Sequence, residues 1–582
     1  MKKYIIPLSL IASTVLISSC RKLDEINPSG ATAEAVWSTP EGMITLINGA
    51  YNDQRNFYGK EDAVLLTEGG TDLWFNQNKA SYANQITRYE GLTASSSGTN
   101  TNTFTTFYKA LNLANAGIGR IQAIAYPSAE EKNRRLGELR FLRGWYLWHI
   151  VEFYGGASLR TTETQGAVMT ATRSTPEDFY KVIIEDLEFA KQNLPLQDDW
   201  GLEYSRASKK SAAGLLARVL LTRAYYSTGA EATTYFTRAR DAAQEVINRA
   251  AEFKIALWPN YADLWLPANN KKVGAAGGES LYTISNSASN TASNYDNNAN
   301  RMHMWYLPQY ASRIGALVQS LQYGADQRRL QPTRALLDMY NEDIDARYEG
   351  SFQEVWLTNS AANYIWSAAD VATHRKNANI AGRILRPGLD TALYITKRGI
   401  SGESALPYLV FDRDTMYNAN GTIAGVNAWP ALIKFAYPNR TAPNSQPGFN
   451  DIFMIRFAEM YLIAAEAEFR LGNSQAAANF INVIRTRAAK KAPVNQTAAM
   501  QVRAADINIQ FILDERAREF AGEQIRWFDL KRSLTPDQWV QRIKTLNPDI
   551  TAVLPTHRLR PIPQQELDAL LNKAEFGQNP GY

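Results

Sequence analysis

Residues 514–532 alternate carboxylates with arginines in the order Asp514-Glu515-Arg516-Ala517-Arg518-Glu519-Phe520-Ala521-Gly522-Glu523, then continue after two residues as Arg526-Trp527-Phe528-Asp529-Leu530-Lys531-Arg532. Glu515, Glu519 and Glu523 recur every fourth residue, so on an α-helix they share one face. The arginines between them can pair with these carboxylates, which predicts a structural ion-pair network. The alternative is a catalytic pair, but a glycosidase needs two carboxylates that face each other across a cleft.

Amphipathic periodicity predicts long helices on both sides of this run. They lie at roughly 105–124, 130–154, 176–194, 206–228, 235–250, 453–471, 474–490 and 506–532. Thr39-Pro40-Glu41 and Thr175-Pro176-Glu177 each place a capping hydroxyl, a first-turn proline and an acid at a helix start. The polar stretch 94–103 predicts a loop. Between about 255 and 450, short aromatic and β-branched runs broken by Asn, Gly and Pro predict loops with a few strands. The predicted fold class is therefore mainly α.

Two of these helical segments look like a repeat. Residues 216–247 and 459–484 each contain an apolar helix, an Ala five residues before a Gly, and a second Ala-rich helix. Small residues allow close helix crossing and a glycine can end the first helix. The pattern predicts tetratricopeptide-like hairpins packed against the loop-rich region, with generic α-hairpins as the alternative.

Composition excludes several classes of protein. Of the 582 residues 62 are Lys or Arg and 57 are Asp or Glu, a nearly balanced charge that offers no electrostatic footprint for nucleic acid. With Cys20 as the one cysteine, no intramolecular disulfide and no cysteine zinc site can form. The four histidines are far apart, and the sequence has no Walker A or GxSxG motif, so neither a metal nor another cofactor is predicted.

The N-terminus predicts a targeting segment. Lys2 and Lys3 precede a mostly apolar stretch, 5–17, which is too short to span a bilayer. It ends in Ile17-Ser18-Ser19-Cys20, which resembles the bacterial lipobox, where the cysteine is acylated. We therefore predict lipidation at Cys20, with an ordinary secretory peptide as the alternative. No later run of 18 apolar residues occurs.

Together with three further features, the 514–532 run resembles the SusD/RagB-like family of outer-membrane nutrient-binding lipoproteins. The features are Cys20 followed by Asp24-Glu25, the segment Ile47-Asn48-Gly49-Ala50-Tyr51-Asn52, and the ending Leu559-Arg560-Pro561-Ile562-Pro563 with Gln578-Asn579-Pro580-Gly581-Tyr582. The resemblance covers essentially the whole mature chain and is strongest at its two ends.

The resemblance implies a mainly α-helical protein with four tetratricopeptide-like hairpins that support a variable half. Such proteins are lipid-anchored on the outer face of the outer membrane. They deliver oligosaccharides, or less often peptides, to a SusC-like TonB-dependent barrel transporter, and they are not enzymes. A surface glycoside hydrolase and a tetratricopeptide adaptor or peptide-binding protein remain the alternatives.

On this basis the chain divides into five regions. They are a signal peptide (1–19), a lipidated tether (20–38), an N-terminal helical region (39–254), a variable ligand-binding region (255–450) and a C-terminal helical region (451–582).

Two segments combine aromatic rings with amide side chains, as a sugar site requires. The first is 71–78, after Gly69-Gly70, and the second runs from 295 to 306 and ends an Asn-rich stretch. The predicted ligand-binding residues are Trp74, Phe75, Asn78, Tyr295, Trp305 and Tyr306. The alternative is that these aromatics belong to the core, since buried tryptophan is common.

Overall fold

The computed structural model describes residues 32–77, 81–96, 98–287 and 299–582. The signal segment, Cys20, Asn78 and Tyr295 lie outside the described residues. The predicted mainly α-helical fold is confirmed: helices dominate and the strands are few and short.

The first elements run from the N-terminal side to residue 248. They are α1 (Ala33–Val36), α2 (Pro40–Arg55), α3 (Glu61–Thr67), β1 (Trp74–Asn76), α4 (Ser81–Thr87), α5 (Gly98–Arg120), α6 (Ala129–Tyr154), α7 (Pro176–Asn193), α8 (Lys209–Tyr225) and α9 (Gly229–Asn248). Two predicted helix starts are confirmed, because the Thr39 and Thr175 side chains accept amide hydrogens three residues on, with proline at the first helical position.

Helix α5 begins earlier than predicted, so the expectation of a loop over 94–103 is wrong from Gly98 onward. The Thr99 hydroxyl donates to Asp62 at 2.8 Å, and Asn100 Nδ2 donates to the Pro561 carbonyl at 2.8 Å. These partners are distant in sequence, so composition alone did not reveal that the polar stretch is helical.

The middle of the chain consists of short elements, as its broken pattern predicts. They are α10 (Tyr261–Leu264), α11 (Asn270–Gly274), β2 (Ser280–Ile284), α12 (Met302–Trp305), β3 (Leu330–Pro332), α13 (Arg334–Asp338), α14 (Arg347–Ser351), β4 (Phe352–Gln353), β5 (Val355–Leu357), β6 (Tyr364–Ile365), α15 (Ala368–Thr373), β7 (Ile384–Leu385), β8 (Thr391–Ile395), β9 (Leu409–Phe411), α16 (Arg413–Met416) and β10 (Ala431–Leu432). The strands form small antiparallel pairs, except that β8 also pairs with β9 in parallel.

The C-terminal part returns to helices after one strand. Its elements are β11 (Ile452–Arg456), α17 (Phe457–Arg470), α18 (Ser474–Ala488), α19 (Thr497–Met500), α20 (Ile509–Phe520), α21 (Arg526–Ser533), α22 (Pro536–Leu546), α23 (Gln564–Asp568) and α24 (Lys573–Phe576). The single helix expected over 506–532 is wrong, because Gly522 breaks it with a φ of +81°. A Cβ at that position would lie 2.5 Å from Leu432, so only glycine fits.

The two hairpins that look like a repeat are adjacent in space. Helices α8 and α9 pack together, α9 packs on α17, and α17 packs on α18. The helical stack is thus continuous across the region between Asn248 and Phe457. Gly472 follows α17 with a φ of +86°, as predicted, whereas Gly229 is the first residue of α9 instead of the residue that ends α8.

The carboxylates of the 514–532 run form a buried ion-pair network, as predicted. Glu519 lies 3.3 Å from Arg347, 3.2 Å from Arg456 and 2.5 Å from Arg487. Glu523 lies beyond the end of α20, but it still reaches Arg456 at 2.7 Å. We call this set the Glu519 network. Burial alone would raise the pKa of Glu519, but the surrounding cations, Arg487 first, lower it to about 2.

We expect Glu519→Gln to lower the free energy of unfolding at pH 7 by about 3–5 kcal/mol, because it leaves buried guanidinium groups without their carboxylate. Since the pKa in the folded state, about 2, is below the ordinary value of 4.5, this stabilisation is complete above pH 4.5 and lost as the pH falls towards 2. Denaturant unfolding between pH 3 and 7 measures both effects.

Glu185→Gln is the matched control, because Glu185 is exposed in the middle of α7 and should change the stability by less than about 0.5 kcal/mol. Equal stabilities of the two variants would contradict a structural role for Glu519.

Candidate functional site

The aromatic residues predicted to bind ligand are buried. Trp74 is 0% exposed, Phe75 1%, Trp305 3% and Tyr306 1%. Antiparallel pairing of β1 with β3 encloses the first two, and α12 carries Trp305 into the same core. These four rings are therefore core residues without an open ring face, which is the alternative to ligand binding that the sequence left open for them. Asn78 and Tyr295 lie outside the described residues.

The structure does bring the two predicted segments together. The ring centroids of Trp74 and Tyr306 are 4.7 Å apart, and the Tyr306 hydroxyl donates to the Gly522 carbonyl at 3.2 Å. The segments thus meet inside the protein, where they join the middle region to the C-terminal run.

A cavity of about 200 Å³ opens in the middle region, between α10, α14 and the segment 432–440. We call it the Trp265 pocket. Its lining includes Trp265, Leu266, His303, Leu307, Gln322, Tyr323, Glu349, Gln353, Tyr437 and Arg440. His303 belongs to the predicted 295–306 segment, whereas sequence reasoning missed the others. A signal was present at Tyr437-Pro438-Asn439-Arg440, where an aromatic and a cation flank turn residues.

Three aromatic side chains border the pocket. Trp265 and Tyr323 keep 7% and 8% of their surface exposed, and Tyr437 is half-buried. Tyr437 lies beside His303, with ring centroids 6.3 Å apart. The Tyr323 oxygen accepts the Leu357 amide hydrogen at 2.9 Å, so its own hydroxyl hydrogen remains available to donate.

Three nitrogens of the lining have no hydrogen-bond partner within the described ranges: Trp265 Nε1, His303 Nδ1 and Arg440 Nε. Burial lowers the pKa of His303 to about 4, so this imidazole is neutral at pH 7. Its Nε2 lies 2.9 Å from the Gln446 carbonyl and must donate to it, which leaves Nδ1 as an unprotonated acceptor. The residues around the pocket thus hold two unpaired N–H donors and one unpaired acceptor, each of them a buried atom.

A larger cavity of about 680 Å³ lies between α2, the segment 203–206 and the end of β2. Its charged groups are already paired inside the protein: Arg206 donates to Glu138 and to Glu203 at 2.9 Å each. The Tyr51 hydroxyl also donates to Glu138, at 3.0 Å. This cavity therefore offers a ligand fewer unengaged charges and rings than the Trp265 pocket does.

Neither the buried carboxylates of the 514–532 run nor the described lining of the Trp265 pocket supplies the opposed pair of a glycosidase. Glu515 and Glu519 are fully buried and paired with cations. Glu349 is the one carboxylate among the described lining residues of the Trp265 pocket, and it pairs with Lys490 at 2.9 Å. The described lining contains no second carboxylate opposite Glu349, which hydrolysis by a carboxylate pair would require. In the same ranges, no three His, Cys, Asp or Glu side chains are placed to hold a metal ion.

Family models match both ends of the chain. The model of the SusD family matches residues 414–582, and the model described as "Starch-binding associating with outer membrane" matches residues 23–221. This chain is a SusD-like protein.

The SusD-like chain is similar to named relatives over most of its length. It is 26% identical to "SusD-like protein P2" of Formosa agariphila, with 100% of both chains covered. It is 25% identical to "Starch-binding protein SusD" of Bacteroides thetaiotaomicron, over 78% of this chain and 73% of that one. Its fold matches a solved SusD homologue from Bacteroides thetaiotaomicron with a TM-score of 0.69 at 20% identity, covering 94% and 98% of the two chains.

Among the described residues of this SusD-like protein, every helix lacks either the length or the apolar character that a membrane span requires.

The substitution Trp305→Ala tests whether the Trp305 side chain stabilises the core of the SusD-like fold. We expect it to lower the free energy of unfolding by about 3–5 kcal/mol, as truncation of a buried aromatic does. Trp37→Ala is the control, because Trp37 is only partly buried and should cost less. Thermal or denaturant unfolding of both variants measures the difference, and a Trp305→Ala protein as stable as wild type would contradict the core assignment.

Proposed function

We propose that this protein is a non-catalytic, cell-surface glycan-binding lipoprotein and that the Trp265 pocket holds a sugar residue of its oligosaccharide. The observation that carries the proposal is the coincidence, around one cavity, of aromatic rings, a tyrosine hydroxyl free to donate, and unpaired but buried polar nitrogens. The starch-binding name of one relative and the outer-membrane description of one matching family support the same class of function.

The chemistry of a pyranose fits this lining. Its C–H faces pack against aromatic rings, and its hydroxyl groups both donate and accept hydrogen bonds. Trp265 and Tyr437 supply ring surface, and the Tyr323 hydroxyl can donate. An apolar cavity of about 150 Å³ accommodates one benzene ring, so the 200 Å³ here is enough for one six-membered sugar ring.

Delivery to a transporter is the second part of the proposal. We place the protein on the outer face of the outer membrane, held by acyl chains on Cys20, where it hands oligosaccharides to a SusC-like TonB-dependent barrel. What supports this is the family to which the chain belongs. Acyl chains contribute about 0.8 kcal/mol per buried CH₂, so several chains together anchor a protein firmly.

Tyr437→Ala should weaken oligosaccharide binding by about 1–3 kcal/mol, by analogy with the stacking of nucleic-acid bases on aromatic side chains. The ring is half-buried at the rim, so the fold should tolerate its loss. A glycan array on the mature domain first identifies a binding oligosaccharide. Calorimetric titration of that oligosaccharide then compares the wild type with the variant, and product analysis detects any hydrolysis.

Tyr82→Ala is the matched control. Tyr82 is 40% exposed and lies near the 71–78 segment instead of the Trp265 pocket. If Tyr82→Ala loses affinity and Tyr437→Ala keeps it, the ligand binds near the 71–78 segment and not in the Trp265 pocket. Released sugar products would favour the glycoside hydrolase, and peptide binding without glycan binding would favour the peptide-binding or adaptor alternative.

Cys20→Ala should leave the protein without a fatty-acid label and release it from the outer-membrane fraction, because the chain has no other thiol to acylate. Metabolic labelling with a fatty-acid probe and membrane fractionation measure both results. A Cys20→Ala protein that is still labelled would exclude this anchor. Affinity purification of the labelled wild type from solubilised outer membranes should recover the barrel partner.

A further inference from the structure

Arg440 carries a buried charge in the wall of the Trp265 pocket. Its side chain is 6% exposed, and in the described part of the chain it forms no ion pair with a carboxylate. Its terminal nitrogens donate to backbone carbonyls instead: Nη1 to Tyr437, and Nη2 to Ser320 and Leu321 at 3.2 and 3.1 Å. These carbonyls accept hydrogen bonds from the terminal nitrogens but carry no formal negative charge.

Among the described residues, the other buried guanidinium groups lie beside a carboxylate, with the exception of Arg560, which donates to the Leu66 carbonyl. Arg347 lies 2.9 Å from Glu515, Arg456 lies 2.7 Å from Glu523, and Arg516 lies 2.8 Å from Asp529. A buried charge without a counter-charge is costly, which is why such groups are usually paired. Arg440 is thus one of two such exceptions, and it adjoins the Trp265 pocket.

No group in the described lining compensates Arg440. Glu349 is exposed at the rim and already pairs with Lys490. His303 is neutral and contributes no negative charge. Burial lowers the pKa of Arg440, and only the phenols of Tyr310 and Tyr437 oppose that effect. Arg440 is therefore the charged group of the described lining that has no counter-charge.

We propose that the sugar residue held in the Trp265 pocket carries an anionic substituent, either the carboxylate of a uronic acid or a sulfate ester, which lies towards Arg440. This inference rests on the proposed glycan-binding function and specifies its ligand class. The aromatic rim selects a ring with apolar C–H faces, and the uncompensated guanidinium selects a negative charge on that ring.

The hydrogen bonds of Arg440 explain why the proposal includes both a carboxylate and a sulfate ester. Both terminal nitrogens are engaged with carbonyls, so the bidentate geometry that distinguishes a carboxylate is not available. The interaction is therefore one of charge, because the Nε–H group is unpaired but buried. A carboxylate and a sulfate ester satisfy such a contact equally well, and the experiment has one arm for each.

The test measures the affinities of matched acidic and neutral oligosaccharides. One pair is oligogalacturonate and its methyl ester, and the other is a sulfated carrageenan oligosaccharide and its desulfated form. For the wild type we expect the acidic member of at least one pair to bind about tenfold more tightly or better. Arg440→Gln should remove this preference, and Arg440→Lys, which keeps the charge, should retain part of it.

Arg383→Gln is the matched control, since it removes the same charge from an exposed position outside the pocket and should leave the preference unchanged. If Arg440→Gln does not fold, the test rests on the ratio of the affinities for acidic and neutral oligosaccharides, measured for the wild type and for Arg440→Lys.

The possible failures are distinguishable. Equal affinity of the wild type for acidic and neutral members, or an acid preference that survives in Arg440→Gln, overturns the inference while glycan binding stands. Absence of binding to every oligosaccharide, acidic and neutral, overturns the proposed function and this inference with it.

Discussion

The carboxylate of Glu519 holds three parts of the chain together. Its three arginine partners come from α14 in the middle region (Arg347), from the end of β11 (Arg456) and from α18 (Arg487). A buried carboxylate is tolerated only beside cations, and these cations need the carboxylate equally. The Glu519 network therefore requires the middle region, the helical stack and the C-terminal run to assemble at the same point.

The Trp265 pocket rests on this network. The Trp265 ring lies 5.4 Å from the Arg456 guanidinium and 4.8 Å from Lys434 Nζ, so one side of the indole is held by cation–π contacts. The Tyr261 hydroxyl, on the helix just before Trp265, donates to the Glu519 carbonyl at 3.1 Å. The residues that determine the fold thus also position the aromatic wall of the pocket.

The aromatic residues show how far sequence reasoning extends. Trp74 and Trp305 lie in segments rich in polar residues, for which a ligand-binding role was predicted, but strand pairing and helix α12 carry both rings into the core. Trp265 and Tyr437 lie in comparable surroundings and border the cavity. No feature of the neighbouring sequence distinguishes the two buried tryptophans from Trp265 and Tyr437, because burial depends on contacts between segments that are distant in sequence.

The sequence by itself determined what depends on neighbours along the chain: the helix starts at Thr39 and Thr175, the ion-pairing character of the 514–532 run and the family resemblance. Capping, periodicity and charge spacing act over one or two helical turns, so a linear pattern records them. Only the tertiary structure decided the break at Gly522, the helix that begins at Gly98, and the aromatic rings that border the pocket. It alone also showed that Arg440 has no carboxylate partner in the described residues, because a missing counter-charge is a property of the space around a side chain.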